Sequence, residues 1–196
     1  MEFKTPFSAI VAGPSSSGKS HFVVKFLKEA LIVPVPRNIT WYYSVWQELY
    51  ESITNVHFVQ GSPVDENCLQ NDSLIVIDDQ LDRAQLVTDI YTKFSHHKRV
   101  SVIFITQNFF YKGMRTITLN AQFLFLFRNP RDSSQIGHLA RQVFPGNAKY
   151  MIEAYQDATS KPFTYLLVDL RSVTENGRRL RTGIFIGEEQ YFYLPK

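Results

Sequence analysis

Runs that are apolar throughout or broken by a single serine alternate along this chain with stretches whose apolar positions recur at three- and four-residue steps. Phe7 to Ala12, Leu74 to Ile77, Val100 to Ile105 and Phe123 to Phe127 are runs of strand length. Such continuity marks strands buried on both faces, as in a parallel sheet covered by helices. Ile39-Thr40-Trp41-Tyr42-Tyr43 and Val56 to Val59 add segments rich in strand formers. Between these runs, Phe22, Val23, Phe26, Leu27, Ala30 and Leu31 share one helical face. So do Leu86, Val87, Ile90, Tyr91 and Phe94, and later Ile136, Leu139, Ala140 and Val143. Shorter helices are predicted from Trp46 to Ser52 and from Tyr150 to Tyr155. Pro34-Val35-Pro36 separates the first helix from the next strand, and Gly61 to Asn71 reads as a polar surface connection. Near the end, Tyr165 to Val168 and Ile184 to Ile186 read as strands, with Asn176-Gly177 between them as a hairpin turn. The alternation predicts an α/β fold: a mostly parallel sheet flanked by helices, with an antiparallel edge hairpin at its C-terminal end.

Composition changes this picture little. The 196 residues are predicted to form a single domain over 1–196, with 44% hydrophobic and 20% charged residues as in an ordinary globular chain. A net charge of +3 permits a polyanionic partner without requiring one. Cys68 is the one cysteine, which excludes an intrachain disulfide and suits a reducing compartment or a virion interior. No apolar run reaches the length of a membrane span, and the N-terminal residues carry no signal-peptide core, so a soluble intracellular protein is expected. The histidines show no metal-ligand spacing with Cys or carboxylates.

The chemistry begins at Gly13-Pro14-Ser15-Ser16-Ser17-Gly18-Lys19-Ser20, a complete G-x-x-x-x-G-K-[ST] pattern. Backbone N–H groups of such a loop wrap a phosphate, the lysine bridges the β- and γ-phosphates, and the Ser20 hydroxyl is placed to ligate Mg²⁺. A predicted strand before it and a helix after it are the context this loop needs, because the helix N-terminus then faces the anion. ATP and Mg²⁺ are the expected ligands.

A second nucleotide motif follows. Leu74-Ile75-Val76-Ile77 ends in Asp78-Asp79, a buried strand that delivers an acid beside the phosphate loop. Asp78 is expected to help hold Mg²⁺, largely through water. Asp79 either polarises an attacking water, which favours hydrolysis, or caps the next helix. The following strand ends in Thr106-Gln107. Gln107 either orients the lytic water and contacts the γ-phosphate, or caps a strand end; an amide cannot act as a base.

Together these residues resemble the FtsK–HerA superfamily of P-loop ATPases, and more closely its viral genome-packaging branch, which includes the poxvirus packaging ATPase and relatives in adintoviruses and Polinton-type elements. The resemblance is carried by Gly13–Ser20, Leu74–Asp79, Ile105-Thr106-Gln107-Asn108 and Leu126-Phe127-Arg128-Asn129-Pro130-Arg131-Asp132. It continues through Ala154-Tyr155-Gln156-Asp157-Ala158-Thr159 and Tyr165-Leu166-Leu167-Val168-Asp169-Leu170. It covers most of the chain. It implies a RecA-like core in which the strand ending in the polar sensor lies between the phosphate-loop strand and the Walker B strand. It also implies an ATPase that packages double-stranded DNA as a hexameric or pentameric homo-oligomeric ring. Such a ring would meet a capsid or portal component in the nucleus or cytoplasm of a host cell, or in the virion, with no membrane. One departure stands out: Asp79 occupies the second acid position, where many cellular members carry Glu.

In ring ATPases of this type an arginine completes the neighbouring subunit's site. Arg128, at the end of the Phe-rich strand, is the first choice and Arg131 the second, while a local ion pair with Asp132 is the alternative for either. The segment Phe109-Phe110-Tyr111-Lys112-Gly113-Met114-Arg115 mixes aromatics and cations as a polynucleotide-contacting loop does, making Lys112 and Arg115 candidate DNA contacts; a hinge packed on the next helix is the alternative. Ser95-His96-His97-Lys98-Arg99 reads as a solvated helix end. Arg178, Arg179 and Arg181 read as charges on a solvated sheet edge. A helicase of the same class, or a nucleotide or polynucleotide kinase with Arg128, Arg131 and Arg141 as a phosphate clamp, are the competing functions.

Overall fold

The computed structural model describes residues 2–63, 69–78, 88–90, 98–107, 114–130 and 134–195, without the side chains of 114 and 115. Asp79, Lys112, Arg131, Asp132, Cys68, the 108–113 segment and most of the helix anticipated around Ile90 therefore lie outside the described residues.

Two short strands, β1 (Phe3–Lys4) and β3 (Ile32–Val33), pair in parallel beside the main sheet. Among the described residues that main sheet has nine strands. Its members are β2 (Ser8–Ala12), β4 (Ile39–Tyr43), β5 (His57–Gln60), β6 (Leu74–Asp78), β7 (Ser101–Thr106), β8 (Phe123–Phe127), β9 (Tyr165–Asp169), β10 (Leu180–Thr182) and β11 (Tyr191–Phe192). The order is β11-β10-β9-β8-β2-β7-β6-β4-β5. From β8 to β5 all pairings are parallel; β9, β10 and β11 then add antiparallel neighbours at one side. This is the predicted mixed α/β architecture. Strand β7 stands between β2 and β6, where the additional strand was expected.

Side-chain alternation divides the core into two layers. On one face, Phe123, Phe125 and Phe127 join Phe22 and Phe26 of α1 (Lys19–Lys28). The Phe22 and Phe125 ring centroids are 4.7 Å apart, and Phe3 meets Phe26 at the same spacing. On the other face, Leu124, Leu126, Leu166 and Val168 pack with Leu139 and Ala140 of α3 (Ser134–Val143). Met151, Ala154 and Tyr155 of α4 (Ala148–Ala158) complete that layer. Helix α2 (Met114–Asn120) leads into β8 and extends the structure beyond the loop expected there.

Four expectations are corrected. Ile184 to Ile186 is not a strand. Phe185 turns into the core and Ile186 points out, 83% exposed, in a bend whose Ile186 N–H is held by Glu29 Oε2 at 2.9 Å. Asn176-Gly177 lies in the β9–β10 connection as part of a 3-10 turn over Asn176–Arg178, not as a two-residue hairpin. Arg181 is buried, not solvated: it donates to Asp169 Oδ2 at 2.6 Å, and Arg171 donates to the same oxygen at 2.7 Å. Arg179 likewise turns inward to the Asp169 and Arg171 carbonyls. The acid at the end of β9 draws these cations in. The segment Trp46 to Ser52 forms a single 3-10 turn over Glu48–Ser52 in place of an α-helix.

Candidate functional site

Parallel strands β2, β6 and β7 end on one edge, so the segments that leave them meet there. The loop after β2 runs directly into α1, with Gly18 as its N-cap at φ +95°, a conformation open to glycine. Gly13 is required for a different reason: a Cβ there would stand 2.7 Å from Phe127 Cβ and 2.8 Å from Ser17 Oγ. The loop is tied to the neighbouring strand by Gly13 N–H donating to the Thr106 carbonyl at 3.2 Å. Lys19 is buried with 8% exposure, and its ammonium donates to the Pro14 carbonyl at 2.9 Å across the loop.

Three sequence-predicted groups gather around this loop. Ser20 Oγ donates to Asp78 Oδ2 at 3.3 Å, which joins the first helical turn to the end of β6. Ser15 Oγ donates to Gln107 Oε1 at 2.7 Å, which joins the loop to the end of β7. Ser15, Ser16, Gly18, Lys19, Ser20, Asp78 and Gln107 all line one open cleft of about 910 Å³. A hydroxyl and a carboxylate side by side form a hard-oxygen pair of the kind Mg²⁺ accepts alongside phosphate and water. Among the described residues no group of three or more His, Cys, Asp or Glu side chains converges.

Among the residues of the cleft that escaped the sequence reading, two stand closest to the predicted groups. Tyr50, in the 3-10 turn after β4, is buried and donates its hydroxyl to Asp78 Oδ2 at 3.0 Å. Burial first, and then the adjacent Asp78 charge, push the Tyr50 pKa well above the ordinary phenol value, so it remains a donor at any working pH. Its ring is fixed by Trp41, Trp46 and Phe58 at centroid distances of 5.2, 5.4 and 4.9 Å. Phe163, between α4 and β9, also faces the cleft. No local signal marks either residue, because each is defined by a partner distant in sequence.

Arg128 leaves the end of β8 into solvent and does not line the cleft of its own chain. The turn that carries it is held by Tyr155, whose hydroxyl donates to the Phe127 carbonyl at 2.9 Å and accepts from Asn129 N–H at 2.8 Å. Arg141 lies on the exposed side of α3 beside His138, at 3.1 Å. Arg115 sits in the first turn of α2.

No protein-family model and no curated protein matches the chain. Solved structures do. The genome packaging NTPase B204 from Sulfolobus turreted icosahedral virus 2, in complex with sulfate, aligns with a TM-score of 0.60 at 13% identity, over 99% of this chain and 98% of that one. Its complex with ATP-gammaS gives 0.54 at 14% identity, over 97% and 98%. Its complex with AMP gives 0.55 at 15%, over 86% and 95%. The chain shares the fold of a viral packaging NTPase. The likeness runs through the antiparallel side of the sheet as well as the phosphate-loop half, since nearly all of both chains is aligned. Among the described residues no helix is long and apolar enough to cross a membrane.

Proposed function

We propose that this chain is an ATP-hydrolysing motor of the FtsK–HerA type that drives double-stranded DNA into a viral capsid. The observation that carries the reading is the convergence of Lys19, Ser20, Asp78 and Gln107 on one cleft, with β7 inserted between the strands that bear the loop and the acid. Support comes from B204, a packaging NTPase of the same fold whose structures hold ATP-gammaS and AMP. The poxvirus, adintovirus and Polinton-type branch is the proposed placement.

In this reading the loop N–H groups and Lys19 neutralise the triphosphate, and Ser20 with Asp78 holds Mg²⁺. The bound ion supplies electrostatic stabilisation to the phosphoryl oxygens. Asp79, adjoining Asp78 in sequence, takes the proton of the attacking water. Gln107 orients that water; its docking on Ser15 gives it a direct link to the state of the phosphate loop. Arg128, turned away from its own cleft, completes the site of a neighbouring subunit in a hexameric or pentameric ring, with Arg131 as the second choice. Such an arginine is worth on the order of 10³–10⁵ in rate. Lys112 and Arg115 contact the DNA backbone, and a capsid or portal component is the docking partner.

Of the arginines a kinase clamp would use, Arg128 and Arg141 do not line the cleft, and Arg131 lies outside the described residues. Strand separation in place of packaging would use the same chemistry. The deciding experiment measures phosphate release against protein concentration, with and without duplex DNA. The motor predicts specific activity that rises cooperatively with assembly, increases with DNA and falls steeply with salt. Phosphate transfer to a nucleoside or a 5′-hydroxyl end, or no ATP consumption under any of these conditions, refutes it.

A further inference from the structure

The antiparallel pair β9–β10 feeds two chain segments into the edge where the phosphate loop sits. One is the 160–164 connection before β9; the other is the bend after β10. The strands they extend are tied together by Thr182 Oγ1 donating to the Tyr165 carbonyl at 2.7 Å. The first segment carries Phe163, which is 71% exposed and holds φ +63°. Both properties are unfavourable for a phenylalanine: an unburied ring and a left-handed backbone. Its ring rests against the phosphate loop, with Cδ1 3.1 Å from where a Gly18 Cβ would stand. A side chain larger than glycine at position 18 would press on it, and the ring would have to give by a few tenths of an ångström. The second segment carries Glu188, whose Oε1 accepts from Lys25 at 3.2 Å and whose Oε2 accepts from the Tyr165 hydroxyl at 3.1 Å. Phe163, Lys25 and Glu188 line the same cleft as Lys19.

We propose that Phe163 is the stacking platform for the purine base of the bound nucleotide, and that the Glu188 carboxylate accepts from the base's amino edge. The proposal rests on the nucleotide-binding reading above and adds where the base lies. An aromatic face held open beside a phosphate site matches a flat π-system, and a carboxylate at its rim favours an amino group over a carbonyl. The strained geometry leaves most of the ring open, with its edge against Gly18; a stacked base would cover the open face.

Calorimetric titration of the full chain with ATP and with tripolyphosphate tests this, because the second ligand has the phosphates without the base. Phe163→Ala is expected to weaken ATP binding about 5- to 100-fold, the range for losing one base–aromatic stack. Tripolyphosphate affinity should stay within about twofold, Phe163→Trp should restore ATP binding, and the melting temperature of Phe163→Ala should not fall, since little surface was buried. Unchanged ATP affinity, or equal losses for both ligands, overturns the proposal. Wild-type protein that binds tripolyphosphate as tightly as ATP overturns it while leaving the phosphate site intact. Binding of neither ligand overturns both readings.

Discussion

Replacing Tyr50 by Phe removes one hydroxyl and tests whether the aromatic cluster around Trp41 serves the proposed nucleotide site. The ring stays in place: Phe58 stacks on it at 4.9 Å, and Tyr43 and Trp46 flank it at 5.6 and 5.4 Å. What disappears is a donor 3.0 Å from Asp78 Oδ2. Both residues are buried, at 1% and 7% exposure, so water does not readily replace it. A hydrogen bond to a charged acceptor nets about 1.5–3 kcal/mol. For a chain of this size that corresponds to a melting temperature lower by about 3–12 °C. Stability alone would not separate a packing role from a functional one. Asp78 also accepts from Ser20, and in the proposed mechanism the orientation of its carboxylate would set how well it holds Mg²⁺. Loss of a group that orients a metal ligand weakens metal affinity by about 10- to 100-fold.

The assay is therefore the ratio of ATP affinity in Mg²⁺ to ATP affinity in EDTA. Tyr50→Phe should lower that ratio about tenfold or more while leaving the EDTA value near wild type. An unchanged ratio alongside reduced stability would refute the positioning role and leave Tyr50 as a core residue only.

Lys19→Ala should abolish nucleotide binding and phosphate release together, because its ammonium is the buried cation of the loop. Asp79→Asn should keep ATP binding and lose hydrolysis; a normal turnover rate would reject Asp79 as the base. Gly13→Ala drives a methyl into Phe127 Cβ and Ser17 Oγ, so it should destabilise by about 1–3 kcal/mol in urea denaturation and weaken nucleotide binding as the loop shifts. Asp169→Asn addresses the ion cluster that anchors β9 and β10. The carboxylate is fully buried between Arg171 and Arg181. Burial alone would raise its pKa, but hydrogen bonds and charge from Arg171 outweigh it and the net direction is down. A depressed folded pKa gives stability that is complete above the unfolded value near pH ~4 and is lost as pH falls through the folded value. The substitution should cost about 3–5 kcal/mol at pH 7, with the gap to wild type narrowing below pH ~4. A gap independent of pH would show that the charge on Asp169 contributes nothing.

What was legible in the sequence is what is contiguous in it. The phosphate loop is a local object: its glycines, Lys19 and the helix it opens are neighbours in the chain, and the fold has only to supply strands on either side. The buried strands were equally legible, since a run such as Phe123 to Phe127 has no polar face to offer solvent and must be central. Even the placement of β7 followed from Thr106-Gln107 once the family resemblance was in view. The losses occurred where meaning depends on a distant partner. Ile184-Phe185-Ile186 has strand composition, but Gly183 and Gly187 at φ +72° and +83° bend the backbone out of pairing and split the run between core and solvent. Arg181 has the composition of a surface charge, and only Asp169, across a hairpin, makes it an interior one. Tyr50 and Phe163 are the same case at the site itself. One is tethered to the acid that ends β6, the other laid on the loop that opens α1, and neither carries a local mark of that duty. Residues proposed to hold the phosphates can thus be read from a motif. Those proposed to aim the metal ligand and to receive the base are set by how β4, β9 and β10 deliver their loops to the shared edge, and that delivery is a property of the sheet order.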